Sequence, residues 1–149
     1  MSRKFYKVLD TFEKVPGETT LPIRGTKKSC AYDFFAKTTY TAKPGETVKI
    51  WTDVKAEMED DECLIINVRS SMAGKWELAN TQGWIDADYF NNPKNDGNIG
   101  VFLTNICNEP LTIEKGDRIA QGKFEKYLIT DDDNPLSEQR EGGYGSTGK

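Results

Sequence analysis

Cys63-Leu64-Ile65-Ile66-Asn67-Val68 decides how the chain is read. The run is short, apolar and rich in β-branched side chains. Such side chains have few rotamers in a helix and pack well on a pleated surface, so a run of this length reads as a strand. Runs of the same kind recur at Val48-Lys49-Ile50-Trp51-Thr52, Ile99-Gly100-Val101-Phe102-Leu103-Thr104 and Ile119-Ala120-Gln121-Gly122-Lys123-Phe124. Between them stand turn formers: Lys43-Pro44-Gly45-Glu46, Asn91-Asn92-Pro93, Asn95-Asp96-Gly97, Asn108-Glu109-Pro110 and Lys115-Gly116-Asp117. Many short strands with frequent turns predict an all-β sandwich or barrel. The one helix candidate is short, residues 71–78, and Gly74 falls inside it.

The 149 residues suffice for one domain with a substantial core, and no apolar run approaches the length of a membrane span. The start, Met1-Ser2-Arg3-Lys4-Phe5, lacks the apolar centre of a signal peptide, so a cytoplasmic protein without membrane contact is expected. Cys30, Cys63 and Cys107 are odd in number and widely spaced; they read as reduced, buried thiols, and no zinc pattern accompanies them. A net charge of −4 speaks against a nucleic-acid partner, while a local basic site for a small anion stays open. From Asp131 onward the chain turns acidic, then glycine-rich, which divides it into a β domain at 1–130 and a flexible arm at 131–149.

Chemistry concentrates in five stretches. The chain has no histidine, so a proton taken from water near neutral pH would go to a carboxylate. Gly83-Trp84-Ile85-Asp86-Ala87-Asp88-Tyr89-Phe90 offers two within three positions. If extended, it points Asp86 and Asp88 to one face and Ile85, Ala87 and Tyr89 to the other. Val68-Arg69-Ser70-Ser71-Met72-Ala73-Gly74-Lys75 combines a guanidinium, hydroxyls and backbone amides, as an oxyanion cradle needs, although the P-loop spacing is absent. Asn80 carries a donor and an acceptor that suit a base edge. Ser29-Cys30-Ala31-Tyr32-Asp33-Phe34 places one carboxylate behind small residues, and Lys115-Gly116-Asp117-Arg118-Ile119-Ala120-Gln121 leads a turn into a strand. Arg140-Glu141-Gly142-Gly143-Tyr144-Gly145-Ser146-Thr147-Gly148 supplies a cation, unobstructed amides, hydroxyls and a ring. Each also has a plain reading as a strand end, turn or helix cap.

Taken in chain order, with Asn80 joined to the 83–90 stretch, the five stretches resemble the five motifs of the trimeric dUTP pyrophosphatase (dUTPase) family, from Leu21 to Gly148. The resemblance implies a β jelly roll assembled as a homotrimer, with each of three active sites shared among all three chains. It implies Mg²⁺-dependent hydrolysis of dUTP to dUMP and pyrophosphate. Asp86 would be the general base. Asp33 would hold the metal through water. Arg69, Ser70, Ser71 and Gln121 would meet the phosphates, Asn80 would read uracil, and Tyr89 would pack on the deoxyribose and exclude UTP. From the arm of a third subunit, Tyr144 would stack on uracil while Arg140, Gly145, Ser146 and Thr147 close over the nucleotide. The chain departs from the family pattern in having Cys30-Ala31 before the aromatic residue, a longer 91–97 hairpin, and a spacing after Arg140 that is one residue shorter. Two alternatives share the fold: a dCTP deaminase, for which Glu77 would be the acid/base, and a dUTP-gated module for a regulatory protein, using the 91–97 hairpin.

Overall fold

The computed structural model describes residues 2–137 and residue 140, and it is built almost wholly from short strands. In chain order these are β1 (Lys4–Lys7), β2 (Ile23–Arg24), β3 (Tyr32–Phe35), β4 (Tyr40–Ala42), β5 (Thr47–Trp51), β6 (Val54–Glu57), β7 (Glu62–Asn67), β8 (Trp76–Leu78), β9 (Gly83–Asp86), β10 (Gly100–Asn105), β11 (Leu111–Ile113) and β12 (Arg118–Lys126). The four expected strands are β5, β7, β10 and β12, each within two residues of its predicted limits. The main sheet runs β2-β3-β12-β7-β9, and a second runs β5-β10-β8. Two-stranded pairs, β1-β6 and β11-β4, complete the antiparallel set, and the architecture is that of a jelly roll.

β7 shows why the sheet forms where it does. Glu62, Leu64 and Ile66 are buried while Cys63, Ile65 and Asn67 are half-buried, the period of two that a strand gives a one-sided core. Leu64 and Ile66 join Phe34, Ile50, Val54, Ile99, Val101, Leu103 and Ile119 in that core. Phe5 packs edge-on against Tyr32 and Phe34, with centroids 5.3 and 5.7 Å away, and so seals β1 onto the main sheet. Gly122 lies mid-strand in β12 because the layer is tight there. A Cβ would stand 2.8 Å from Ile66 Cδ1 and 3.0 Å from Phe34 Cε1.

Residues 71–78 are not a helix. Ser70–Met72 make one 3₁₀ turn, Gly74 then takes φ +83°, and Trp76–Leu78 becomes β8. Pairing of Leu78 with Leu103 and Trp76 with Asn105 outweighs a weak local helical preference. The thiols also differ from expectation. Cys30 is exposed, and Cys63 and Cys107 are half-buried, because each sits on a strand face or loop turned from the core. Burial pushes the Cys63 thiol up. Among the described residues no helix is long and apolar enough to cross a membrane.

Candidate active site

The site residues fall into two groups on the main sheet. In the first, antiparallel registers line up Asp33 on β3 with Gln121 on β12, and Gln121 with Asn67 on β7. Val68 leaves β7 and delivers Arg69 and the Ser70–Met72 turn to the same end of the sheet. The result is a cleft of about 480 Å³ lined by Asp33, Arg69, Ser70, Arg118 and Gln121, with Lys28 and Ser29 at its edge. The buried Asp33 carboxylate lies 3.5 Å from Arg69 Nε and 3.3 Å from Arg118 Nη1. Both arginine side chains keep 30% or more of their surface exposed. Two guanidiniums against one carboxylate leave net positive charge facing the opening, with the Ser70 hydroxyl and Gln121 amide beside it. Such a lining takes a polyanion.

Arg118 belongs to this group although sequence reasoning singled out only Gln121 from its stretch. The register shifts between Arg118 and Ala120, and Arg118 meets Asp33 there; the signal in the sequence was a cation placed just after a Gly-Asp turn.

The second group lies at the far edge strand. β9 pairs with β7 so that Asp86 faces Cys63, four residues along β7 from Asn67. With a rise of about 3.3 Å per residue and strands about 4.8 Å apart, Asp86 and Asp33 are on the order of 20 Å from one another. Extended structure stops at Asp86, and residues Ala87–Tyr89 form a 3₁₀ turn. Exposure nevertheless alternates as an extended reading predicts. Trp84, Asp86 and Asp88 are exposed, Ile85 and Ala87 half-buried, and Tyr89 buried. Trp84, 70% exposed, lines with Asp86 and Tyr127 a second cleft on this edge.

Arg140 reaches this edge rather than the Asp33 cleft. Its Nε donates to Asp88 Oδ1 at 2.8 Å, and Nη2 donates to Asp86 Oδ2. Burial alone would lower the Arg140 pKa, but the two carboxylates outweigh it and hold the guanidinium raised. Tyr89 is turned inward, its hydroxyl donating to the Asn98 carbonyl and accepting from Asn95. Asn80 sits exposed in the turn between β8 and β9, within reach of Gly83. Ser71 is exposed beside Arg69, which donates to its hydroxyl at 3.5 Å. Glu77, exposed on β8 opposite Thr104, lies on the other sheet from both clefts. Tyr144, Gly145, Ser146 and Thr147 lie outside the described residues.

A dUTPase family model matches residues 17–148. The chain belongs to the dUTPase family. Deoxyuridine 5'-triphosphate nucleotidohydrolase of Lactococcus lactis is 43% identical over 131 residues, spanning 86% of this chain and 87% of that protein. The protein of the same name from Mus musculus is 34% identical over 142 residues, spanning 93% and 84%. The crystal structure of dUTPase from Streptococcus mutans superposes with TM-score 0.75 and 32% identity, covering 85% of this chain and 98% of that one. A mutant dUTPase from phage phi11 of S. aureus superposes at 0.71 with 18% identity, over 92% and 98%, a likeness of fold alone; that protein coordinates a structural Mg(II) ion. Of the five stretches singled out in the sequence, four fall in these two groups: Asp33, Arg69 with Ser70, and Gln121 at one end of the sheet, and Asn80 to Tyr89 at the far edge.

Proposed function

We propose that the chain is a dUTP diphosphatase whose active sites form between copies of itself. Membership of the dUTPase family carries the reaction, and the separation of the two residue groups carries the assembly. Asp86 is assigned to the α-phosphorus and Asp33 to a metal on the same triphosphate, so both must act within a few ångströms of the phosphates, and two groups on the order of 20 Å apart in one chain cannot serve one substrate. In a closed homotrimer, the phosphate cleft of one copy would meet the Asp86 edge of the next, with the arm of a third copy closing over both.

Arg69, Arg118, Ser70 and Gln121 would bind the triphosphate, with Ser71 at the rim. Asn80 and the Gly83 backbone would read uracil, and the Tyr89 ring would leave no room for a 2′-hydroxyl. Asp86 would order a water in line with the leaving pyrophosphate. As the water oxygen bonds to the α-phosphorus and the bond to pyrophosphate breaks, its proton passes to Asp86. Arg140 occupies carboxylate oxygens of Asp86 and Asp88 where the attacking water would be held, so it would leave Asp86 before the step. The arm, 131–149, would then be the moving part, with Tyr144, Gly145, Ser146 and Thr147 laid over the nucleotide.

Among the described residues no cluster of three or more His, Cys, Asp or Glu side chains could hold a metal. Asp33, one carboxylate between two arginines, fits Mg²⁺ that arrives on the triphosphate and is held through water. The ion would neutralise phosphate oxygen charge.

The test is release of pyrophosphate and ammonia from dUTP, dCTP, dTTP and UTP, with the native chain and Asp86→Asn. Pyrophosphate from dUTP alone, reduced at least ~100-fold in Asp86→Asn, is expected for a positioned base. Ammonia from dCTP, or dUTP binding without product, would overturn the reading.

A further inference from the structure

We propose that Asn95 is a specificity-determining positioning residue, which fixes the Tyr89 ring and so sets the preference for deoxyribonucleotides over ribonucleotides. The inference rests on the sugar-facing role given to Tyr89 above. A phenolic hydroxyl has one proton to give and lone pairs to receive with. In Tyr89 both capacities are used. It donates to the Asn98 carbonyl and accepts from Asn95 Nδ2 at 2.9 Å.

Each of those partners is itself held. Asn98 is fully buried, donating through Nδ2 to Asp53 Oδ1 at 2.8 Å and accepting from the Asp53 amide at 2.9 Å. Asn95 Oδ1 accepts from Asn92 Nδ2 at 2.7 Å and from the Gly97 amide at 3.1 Å. The loop that carries Asn95 is anchored in turn by Asp96, whose Oδ2 accepts from the Leu9 amide at 2.8 Å and from Lys55 Nζ at 2.9 Å. Gly97, at φ +88°, presses the loop onto the Tyr89 turn so closely that a Cβ there would stand 2.9 Å from the Tyr89 carbonyl oxygen.

Tyr89 packs in the core with 6% of its surface exposed, and rejecting one extra hydroxyl at that exposed edge requires a wall that does not yield. The loop supplies that rigidity. The longer hairpin at 91–97 therefore acts on substrate choice through Tyr89, without touching substrate itself.

The test measures kcat/KM for dUTP and UTP in the full chain with native sequence, Asn95→Ala, Tyr89→Phe, the double variant and Tyr89→Ala. Asn95→Ala is expected to lower the dUTP:UTP ratio by about tenfold, mainly by raising UTP turnover, with kcat on dUTP within about threefold of native. Tyr89→Phe removes this hydrogen bond together with the one to the Asn98 carbonyl, so it should lower the ratio at least as much, and Asn95→Ala should add little to it in the double variant. If Asn95→Ala does not fold, Tyr89→Phe carries the comparison. A ratio unchanged in Asn95→Ala and Tyr89→Phe but collapsed in Tyr89→Ala would overturn the positioning role alone. A ratio unchanged in Tyr89→Ala would overturn the sugar-facing role and this inference with it.

Discussion

Asp53 and Asp33 are both carboxylates set among cations in one sandwich, and the sandwich treats them differently. Asp53 is fully buried, and its two oxygens accept from the Lys14 and Val15 amides at 2.8 and 3.0 Å, Lys37 Nζ at 2.9 Å and Asn98 Nδ2 at 2.8 Å. Lys37 is almost as deeply buried and turns to Glu13 as well. Both oxygens are fully engaged away from solvent, and the cluster is closed. Asp33 has two arginines at 3.3 and 3.5 Å, beyond ideal hydrogen-bond length and open to a cleft. A closed cluster has spent its charge on the fold. An open one has charge left for a ligand, and this contrast separates structure from site more sharply than the residue types do.

The comparison breaks most readily by truncation. Asp53→Ala leaves the buried Lys37 with Glu13 as its remaining ion-pair partner and strips the Lys14 and Val15 amides and Asn98 Nδ2 of their acceptor, and a loss of about 3–5 kcal/mol in urea unfolding is expected, the range for breaking a buried pair. Asp33→Ala leaves two guanidiniums that water already reaches, so a cost of at most about 1 kcal/mol is expected. Its effect should fall on dUTP turnover instead, a loss of roughly tenfold or more for one removed positioning group. Comparable destabilisation by both changes would erase the distinction between the clusters.

A smaller effect concerns acid. Burial would raise the Asp53 carboxyl, but the Lys14 amide, Lys37, Asn98 and the Val15 amide outweigh it and hold it below the ordinary value. Arg3 holds Glu62 low in the same way. Groups with lowered folded pKa stabilise fully above their unfolded values, near pH 4, and lose that contribution as pH falls through the folded ones. Thermal midpoints should therefore be level from neutral pH down to about 5 and fall below about 4. Asp53→Asn should flatten that fall. A midpoint that rises on acidification would contradict the assignment.

Much of the fold was legible because its strands are short β-branched runs cut by Pro, Gly and Asn. Residues 71–78 misled because Ser-Ser-Met-Ala favours a turn start locally, while the cross-strand partner Leu103 is far away in sequence. Charged residues are ordinarily read as surface, so nothing marked Asp53, Lys37, Lys55 or Asp96 as interior, and the partners that hold them there stand 16 to 45 positions away in sequence. The candidate site residues were named from motif order. Their division into two groups was not legible there, since it follows from the β7–β9 register that sets Asp86 opposite Cys63. Arg140 shows the same limit: its spacing carried no hint that Asp86 and Asp88 would receive it.

That division is the centre of the account, and subunit mixing tests it directly. Chains carrying Arg69→Ala and chains carrying Asp86→Asn would be unfolded together, refolded in equal amounts and assayed for pyrophosphate release from dUTP. Each variant alone should be nearly inactive. If Arg69 and Asp86 of one site come from different copies, random assortment leaves roughly a quarter of the sites intact, and activity should return to about that fraction of native. A mixture no more active than its parents would mean that Arg69 and Asp86 serve one site from one chain, and the shared-site account would fail.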